Sequence, residues 1–322
     1  MPDYSTSLGC QAEYLSKGVY TIPVGPTSAK PIHQLNVKGA AVGTVFITEA
    51  SSGATDITME MTLRSDDKAL LDHVKTTLTE PESEREWTNT LINTPRPIEN
   101  ACMRYDIVLY IPPTLKTLNI DVHAVAQIKF DPKAQIQLDS LLIQTYGIDQ
   151  RVMVLPTERI KANRLEINAY RGWVVGDMTI VNETIIVTKT GPVIANIHFH
   201  PTVALDLKNP EPAYLTTRTD RGRTDLFYEN HNDPSTNPHR PIVSEHLSGR
   251  MMGKGGDLYL TYKDADFSGR VDLQAKSHTT YNLKGNLSRP DQGEGTLPYH
   301  GNPNGGDSLR VHAANGWVGL YF

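Results

Sequence analysis

A short unit recurs through the second half of this chain and limits what it can fold into. Alternating apolar residues run into a turn containing glycine, and the alternation then resumes. Leu165-Glu166-Ile167-Asn168-Ala169-Tyr170-Arg171-Gly172-Trp173-Val174 and Leu309-Arg310-Val311-His312-Ala313-Ala314-Asn315-Gly316-Trp317-Val318 share one layout. Looser copies centre on Gly191, Gly222 and Gly269, so that the intervals from Gly172 to Gly316 are 19, 31, 47 and 47 residues. Successive side chains of a strand point to opposite faces. Leu309, Val311 and Ala313 should therefore face inward before the turn, and Val318, Leu320 and Phe322 after it. Glycine at the turn supplies a backbone conformation with positive φ that a Cβ would oppose. A unit of this kind buries its apolar side only against neighbouring copies. The expected class is mainly β, a stacked solenoid-like arrangement ending in the rung 309–322.

The remainder of the chain divides by pattern. Residues 1–40, with Pro23, Pro26 and Pro31, read as an irregular lead-in. Residues 41–103 read as a strand-rich, mixed segment with one short helix. Strands over 42–49 and 56–64 are expected to form a hairpin through Ala50-Ser51-Ser52-Gly53-Ala54. Asp66 or Asp67 can cap a helix reaching towards Thr79, with Leu70, Leu71, Val74 and Leu78 on one face. An acidic loop follows over 80–86. Residues 104–322 read as strands almost throughout. The run 105–111 stops at Pro112-Pro113, because proline has no N–H to give a ladder. Around Gly147 the register falters, with Leu141 and Ile143 out of phase with Leu165 and Ile167. Inserts over 229–241 and 291–307, rich in Pro, Asn and His, belong on the surface as loops.

Charge removes one class of function. Thirty-six acidic against 31 basic residues give a net charge of −5 with no strong block of either sign. A nucleic-acid partner is excluded, since phosphate binding needs a basic footprint. No run approaches the roughly 20 apolar residues of a membrane helix, so no transmembrane segment is expected. The first residues lack a basic stretch followed by an apolar one, so no signal peptide is readable. That leaves a cytoplasmic location, or a cell-surface one if a targeting segment has been removed. Cys10 and Cys102 could form a bridge, but two cysteines carry no framework signal. The simpler reading is two unrelated reduced thiols.

Four residues stand out as surface candidates. His198 and His200, two apart on a strand whose inward residues would be Val193, Ala195, Ile197 and Phe199, should both point outward. A metal site would need further ligands, which His231, His239 and His246 downstream could supply. A solvated face is the simpler account, and no metal or cofactor is expected. Trp173 and Trp317 each follow a motif glycine and should point out, where an indole can stack on a sugar ring, anchor a partner or lie under an insert. Asp220, Asp225 and Glu229, and likewise Asp264, Asp266 and Asp272, lie close enough in sequence for acid–base chemistry. Most sit where turns favour Asp. Gly-x-Ser-x-Gly is absent, and the glycine-rich run 249–256 leads into a strand where a phosphate loop needs a helix. No catalytic residue is assigned.

Apolar runs ending in proline, followed by units of the form Leu-x-Ile-x-(Ala/Thr)-x-x-Gly-x-Val, resemble the putative-adhesin β-solenoid domains of bacteria and fungi. The likeness rests on 108–122, 165–175, 185–197, 258–273 and 309–322. It implies a right-handed solenoid and a surface or adhesive role, and it brings no catalytic residues. The long inserts and the mixed N-terminal segment depart from it. The expectation is a non-catalytic binding, adhesion or scaffolding protein with a carbohydrate or protein partner. The alternative is a carbohydrate-active β-helix enzyme using turn carboxylates.

Overall fold

The computed structural model describes residues 1–10, 12–24, 31–79, 87–95, 101–190, 193–230, 239–249, 255–285 and 297–322. Within them the chain is mainly β, with one short α-helix and one 3-10 turn, Thr6–Leu8. No helix among them is long and apolar enough to cross a membrane. Two compact units are present: Met1–Ala162 with Glu166–Val174, and Asn163–Leu165 with Val175–Phe322.

The first unit begins with β1 (Tyr14–Ile22), β2 (Ile32–Lys38), β3 (Val42–Glu49), β4 (Ile57–Ser65) and α1 (Lys68–Asp72). It continues through β5 (Lys75–Thr79), β6 (Trp87–Asn93), β7 (Met103–Ile111), β8 (Thr117–Val122), β9 (Ala126–Phe130), β10 (Ile136–Thr145) and β11 (Met153–Leu155). β12 (Ile160–Ala169) and β13 (Trp173–Ile180) contribute residues to both units. Two ladders result. In one, β6, β2, β8 and β10 pair in parallel, and β5 closes on β6 antiparallel. In the other, β1 and β4 are antiparallel, β4 and β7 are antiparallel, and β7, β3, β9 and β11 continue in parallel.

The first 40 residues carry β1 and β2 and are not an irregular lead-in. β3 and β4 do not form a hairpin, because β7 lies between them. Asp106 on β7 accepts from Thr44 Oγ1 on β3 at 2.8 Å and from Arg64 Nε on β4 at 3.0 Å, tying both to the inserted strand. The helix is a single short turn. Asp67 caps it by accepting from Ala69 N at 2.9 Å, and Leu70 is buried. It ends at Asp72 because Thr76, Thr77 and Thr79, β-branched residues suited to strands, pair with β6. Leu78 lies on that strand and is 41% exposed, not on a helix face. Cys10 and Cys102 form a disulfide across 92 residues and are not free thiols. The acidic loop over 80–86 lies outside the described residues.

The faltering register before Gly147 has a local cause. The amides of Asp139 and Ser140 both donate to Lys116 O, at 2.7 and 3.2 Å. Two residues facing one is a β-bulge. It shifts the buried set from Ile136 and Leu138 to Leu141 and Ile143. β12 also changes phase, burying Ile160 and Ala162 and then Leu165 and Ile167.

The second unit holds β14 (Glu183–Thr188), β15 (Val193–Pro201), β16 (Ala213–Thr219), β17 (Arg223–Glu229) and β18 (Ile242–Ser248). β19 (Asp257–Asp264), β20 (Gly269–Tyr281), β21 (Tyr299–His300) and β22 (Asp307–Tyr321) complete it. β14, β16 and β18 pair in parallel, as do β15, β17 and β19. The two halves of β22 join these separate ladders, residues 308–313 beside β18 and residues 318–321 beside β19. The inward set is the one expected from alternation: Leu309, Val311, Ala313, Val318, Leu320 and Phe322 are all buried.

The corner glycines are Gly222, Gly256 and Gly316, not Gly269. A Cβ on Gly256 would lie 1.6 Å from Gly222 O, and one on Gly316 would lie 2.1 Å from Gly256 O. Gly172 and Gly222 have φ of 128° and 132°, as the turn reading requires. At Gly256 and Gly316 the requirement is the close stacking of backbones. Gly269 opens a 13-residue strand and packs on Asp307 O. Gly191 lies outside the described residues. The final rung is also reassigned. β20 pairs along β22 on the side away from β18 and β19, so residues 309–322 are flanked on both edges.

Candidate functional site

The expected pair of outward histidines separates. Asn196 has φ of 47° and sits at a register shift between Ile194 and Ile197. Ile194, Ile197 and Phe199 are all buried as a result. His198 stays on the outer face, stacked on Phe227 at 4.8 Å, with Nδ1 2.7 Å from Glu229 Oε1. His200 does not point into solvent. It is buried near the end of β15, with Nδ1 3.8 Å from Glu229 Oε2. The downstream histidines are engaged elsewhere, and His231 lies outside the described residues. Among those residues no group of three or more His, Cys, Asp or Glu is placed to hold a metal ion.

His246 lies in the core of the second unit. Its ring bonds with Thr217 Oγ1 and with Tyr262 OH, each at 2.7 Å. Burial pushes its pKa down to about 3. His239 pairs with the fully enclosed carboxylate of Asp307, Nε2 lying 2.9 and 3.0 Å from its two oxygens. That hydrogen bond raises the His239 pKa above its ordinary value. Arg240 is also buried and gathers carbonyl oxygens. Nε donates to Glu211 O at 2.7 Å, and Nη2 donates to Pro212 O at 3.1 Å. None of these three roles was legible in the sequence, where the insert containing His239 and Arg240 reads as a surface loop.

Trp173 is half-buried, and its Nε1 donates to Gln150 O at 3.0 Å, so the indole is fixed on the preceding loop. Trp317 lies in richer surroundings. Its ring is 4.8 Å from that of Tyr259 on β19, and the Arg223 guanidinium sits 3.8 Å above Tyr259. Pairing puts Trp317 beside Ser277, Gly319 beside Tyr259 and Thr279, and Tyr321 beside Thr261 and Tyr281. Residues in register share a face. A Cβ on Gly319 would lie 2.4 Å from Trp317 Cη2 and 3.0 Å from Tyr321 Cε2. Both rings thus lie along the sheet over the glycine. The result is an aromatic floor on the outer face, with exposed Ser277, Thr279 and Tyr281 along one margin. Sequence spacing singled out Trp317. The period-two series Trp317, Gly319, Tyr321 was there to be read, but the partners from β19 and β20 depend on long-range pairing.

The carboxylates are spread over both ladders, with Glu229 the register partner of Asp264. Asp225 Oδ2 pairs with Arg223 Nη2 at 2.7 Å, and Asp272 Oδ2 lies 3.4 Å from Arg310 Nε, in the other ladder. Asp220 and Asp266 sit in turns, Asp266 with φ of 53°, and Asp264 ends β19. Local bonding at turns and strand ends accounts for Asp220, Asp264 and Asp266, while Asp225 and Asp272 lie within β17 and β20.

No family model matches the chain, and no curated protein matches it. A putative adhesin from Bacteroides fragilis aligns over 96% of this chain and 98% of its own, with 11% identity and a TM-score of 0.44. A putative cell adhesion protein from Clostridium sporogenes covers 96% and 99%, with 9% identity and a TM-score of 0.30. A putative lipid binding protein from Parabacteroides distasonis covers 96% and 97%, with 11% identity and a TM-score of 0.30.

Proposed function

We propose that this chain is a non-catalytic binding protein built on a right-handed β-solenoid-like stack, acting in adhesion or scaffolding. One observation carries the binding role. The outer face of β17, β19, β22 and β20 presents aromatic and hydroxyl side chains in register, while the acids nearest to it are individually paired or bonded. A surface of this kind offers area and hydrogen bonds to a ligand without a convergent acid–base pair. The solenoid-like reading is supported by the order of pairing. Consecutive strands from β14 to β19 fall in alternate ladders, and each from β16 onward is parallel to the strand two before it. That is the path of a coil, and right-handed crossovers are the rule for parallel strands. The Cys10–Cys102 bridge supports an oxidising location such as the cell exterior.

The test is a glycan and protein binding array on the purified chain, with a released-sugar assay on the same polysaccharides. Capture without product is the expected result. Product formation would overturn the non-catalytic reading in favour of a carbohydrate-active enzyme, and silence in both would overturn the binding role.

A further inference from the structure

Resting on that binding role, we propose that the platform over Gly319 binds a neutral pyranose unit of a saccharide chain. Three features of the site select this ligand. The first is the floor. With no side chain at Gly319, the Trp317 indole and the Tyr321 ring lie along the sheet, and Tyr259, tilted 51° to the indole and covered by Arg223, borders them on the β19 side. A pyranose has a face of C–H bonds that packs on such rings. The second is the margin. Ser277 and Thr279 are exposed on β20, beside Trp317 and Gly319, and Tyr281 is 60% exposed beside Tyr321. Their hydroxyls can both donate and accept, which suits the equatorial hydroxyl rim of a sugar resting on the floor.

The third is charge. Asp225 lies beside Tyr259, and the exposed Asp257 accepts from Trp317 N at 2.9 Å. The second carboxylate oxygen of Asp257 can accept from a sugar hydroxyl, and its charge would repel a uronate. Arg223 pairs with Asp225 and stacks on Tyr259. With Arg223 and Asp225 offsetting each other, the carboxylate of Asp257 is the charge left beside Trp317, which favours a neutral sugar over an acidic one. The open length of the β20 margin also suits an extended chain better than a free monosaccharide.

The experiment uses the full chain with Trp87→Phe and Trp173→Phe, which leaves Trp317 as the reporter. Hexasaccharides of glucose, xylose, mannose and galactose are titrated beside an oligogalacturonate, reading tryptophan emission and its quenching by acrylamide. At least one neutral series should shift the emission and protect the indole. Gly319→Val, which places a side chain where the indole lies, should weaken that binding at least tenfold. If that variant does not fold, the surface changes Ser277→Ala and Tyr281→Ala should each weaken it severalfold with melting unchanged. Binding that leaves Trp317 unaffected, or survives these changes, would overturn the platform while leaving a binding role elsewhere. Tighter binding of oligogalacturonate would overturn the neutral assignment. Silence with every sugar sinks the platform, and the array separately decides whether any binding role survives.

Discussion

Asp307 joins segments far apart in sequence through one buried carboxylate. It accepts from Ile242 N at 2.8 Å and Ser268 N at 2.5 Å, and it meets His239 as well. Removing it leaves the amides of Ile242 and Ser268 and the His239 ring without their shared partner. Asp307→Ala should cost about 3–5 kcal/mol, read as a lower urea midpoint at unchanged slope. The histidines give opposite pH signatures. His239 has a folded pKa above 6.5, so its contribution is fully present below pH 6.5 and is lost as pH rises through the raised value. Burial takes His33 down to about 4 and His246 to about 3. In the unfolded chain both bind a proton near pH 6.5 that the folded state refuses, so stability falls as pH drops below 6.5. His246→Gln keeps hydrogen-bonding capacity without the titration. It should shrink the stability difference between pH 7 and pH 5 by about 2 kcal/mol, measured by denaturation at the two pH values.

At the scale of elements, corners and strand order matter most. Gly256→Ala would set a methyl 1.6 Å from Gly222 O, against backbone that cannot swing aside as a side chain can. The expected loss is about 3 kcal/mol or more, measured by thermal melting against Gly53→Ala, where a Cβ meets nothing within 4 Å. The corner was visible in the sequence through Gly172 and Gly316, and the inward set from Leu309 to Phe322 followed from alternation alone. Gly256 was missed because it sits in a glycine-rich stretch that hides which glycine is stacked. Partner choice was not legible either. A loop between two strands looks the same whether they pair or, as with β3 and β4, admit a third strand. The order β18/β19, β22, β20 is likewise a property of long-range pairing. The site followed the same division: Trp317 came from local spacing, and the residues around it from strands brought there by the fold.

For the molecule as a whole, the disulfide is the longest covalent constraint. Closing 92 residues stabilises the first unit through the chain entropy removed from its unfolded state. Cys102→Ser should lower stability by about 4–5 kcal/mol in that model, seen as a drop in denaturation midpoint that reducing agent reproduces in the parent chain and not in the variant. The position of β22 has a consequence of another kind. Its neighbours on both edges, β18 and β19 on one and β20 on the other, are all made before it. While the chain emerges from the ribosome, those strands wait with open edges, and their slot stays empty until residues 307–321 appear. The second unit can therefore close only once β22 has been made, and what guards those edges meanwhile decides whether the newborn chain folds or pairs with its neighbours.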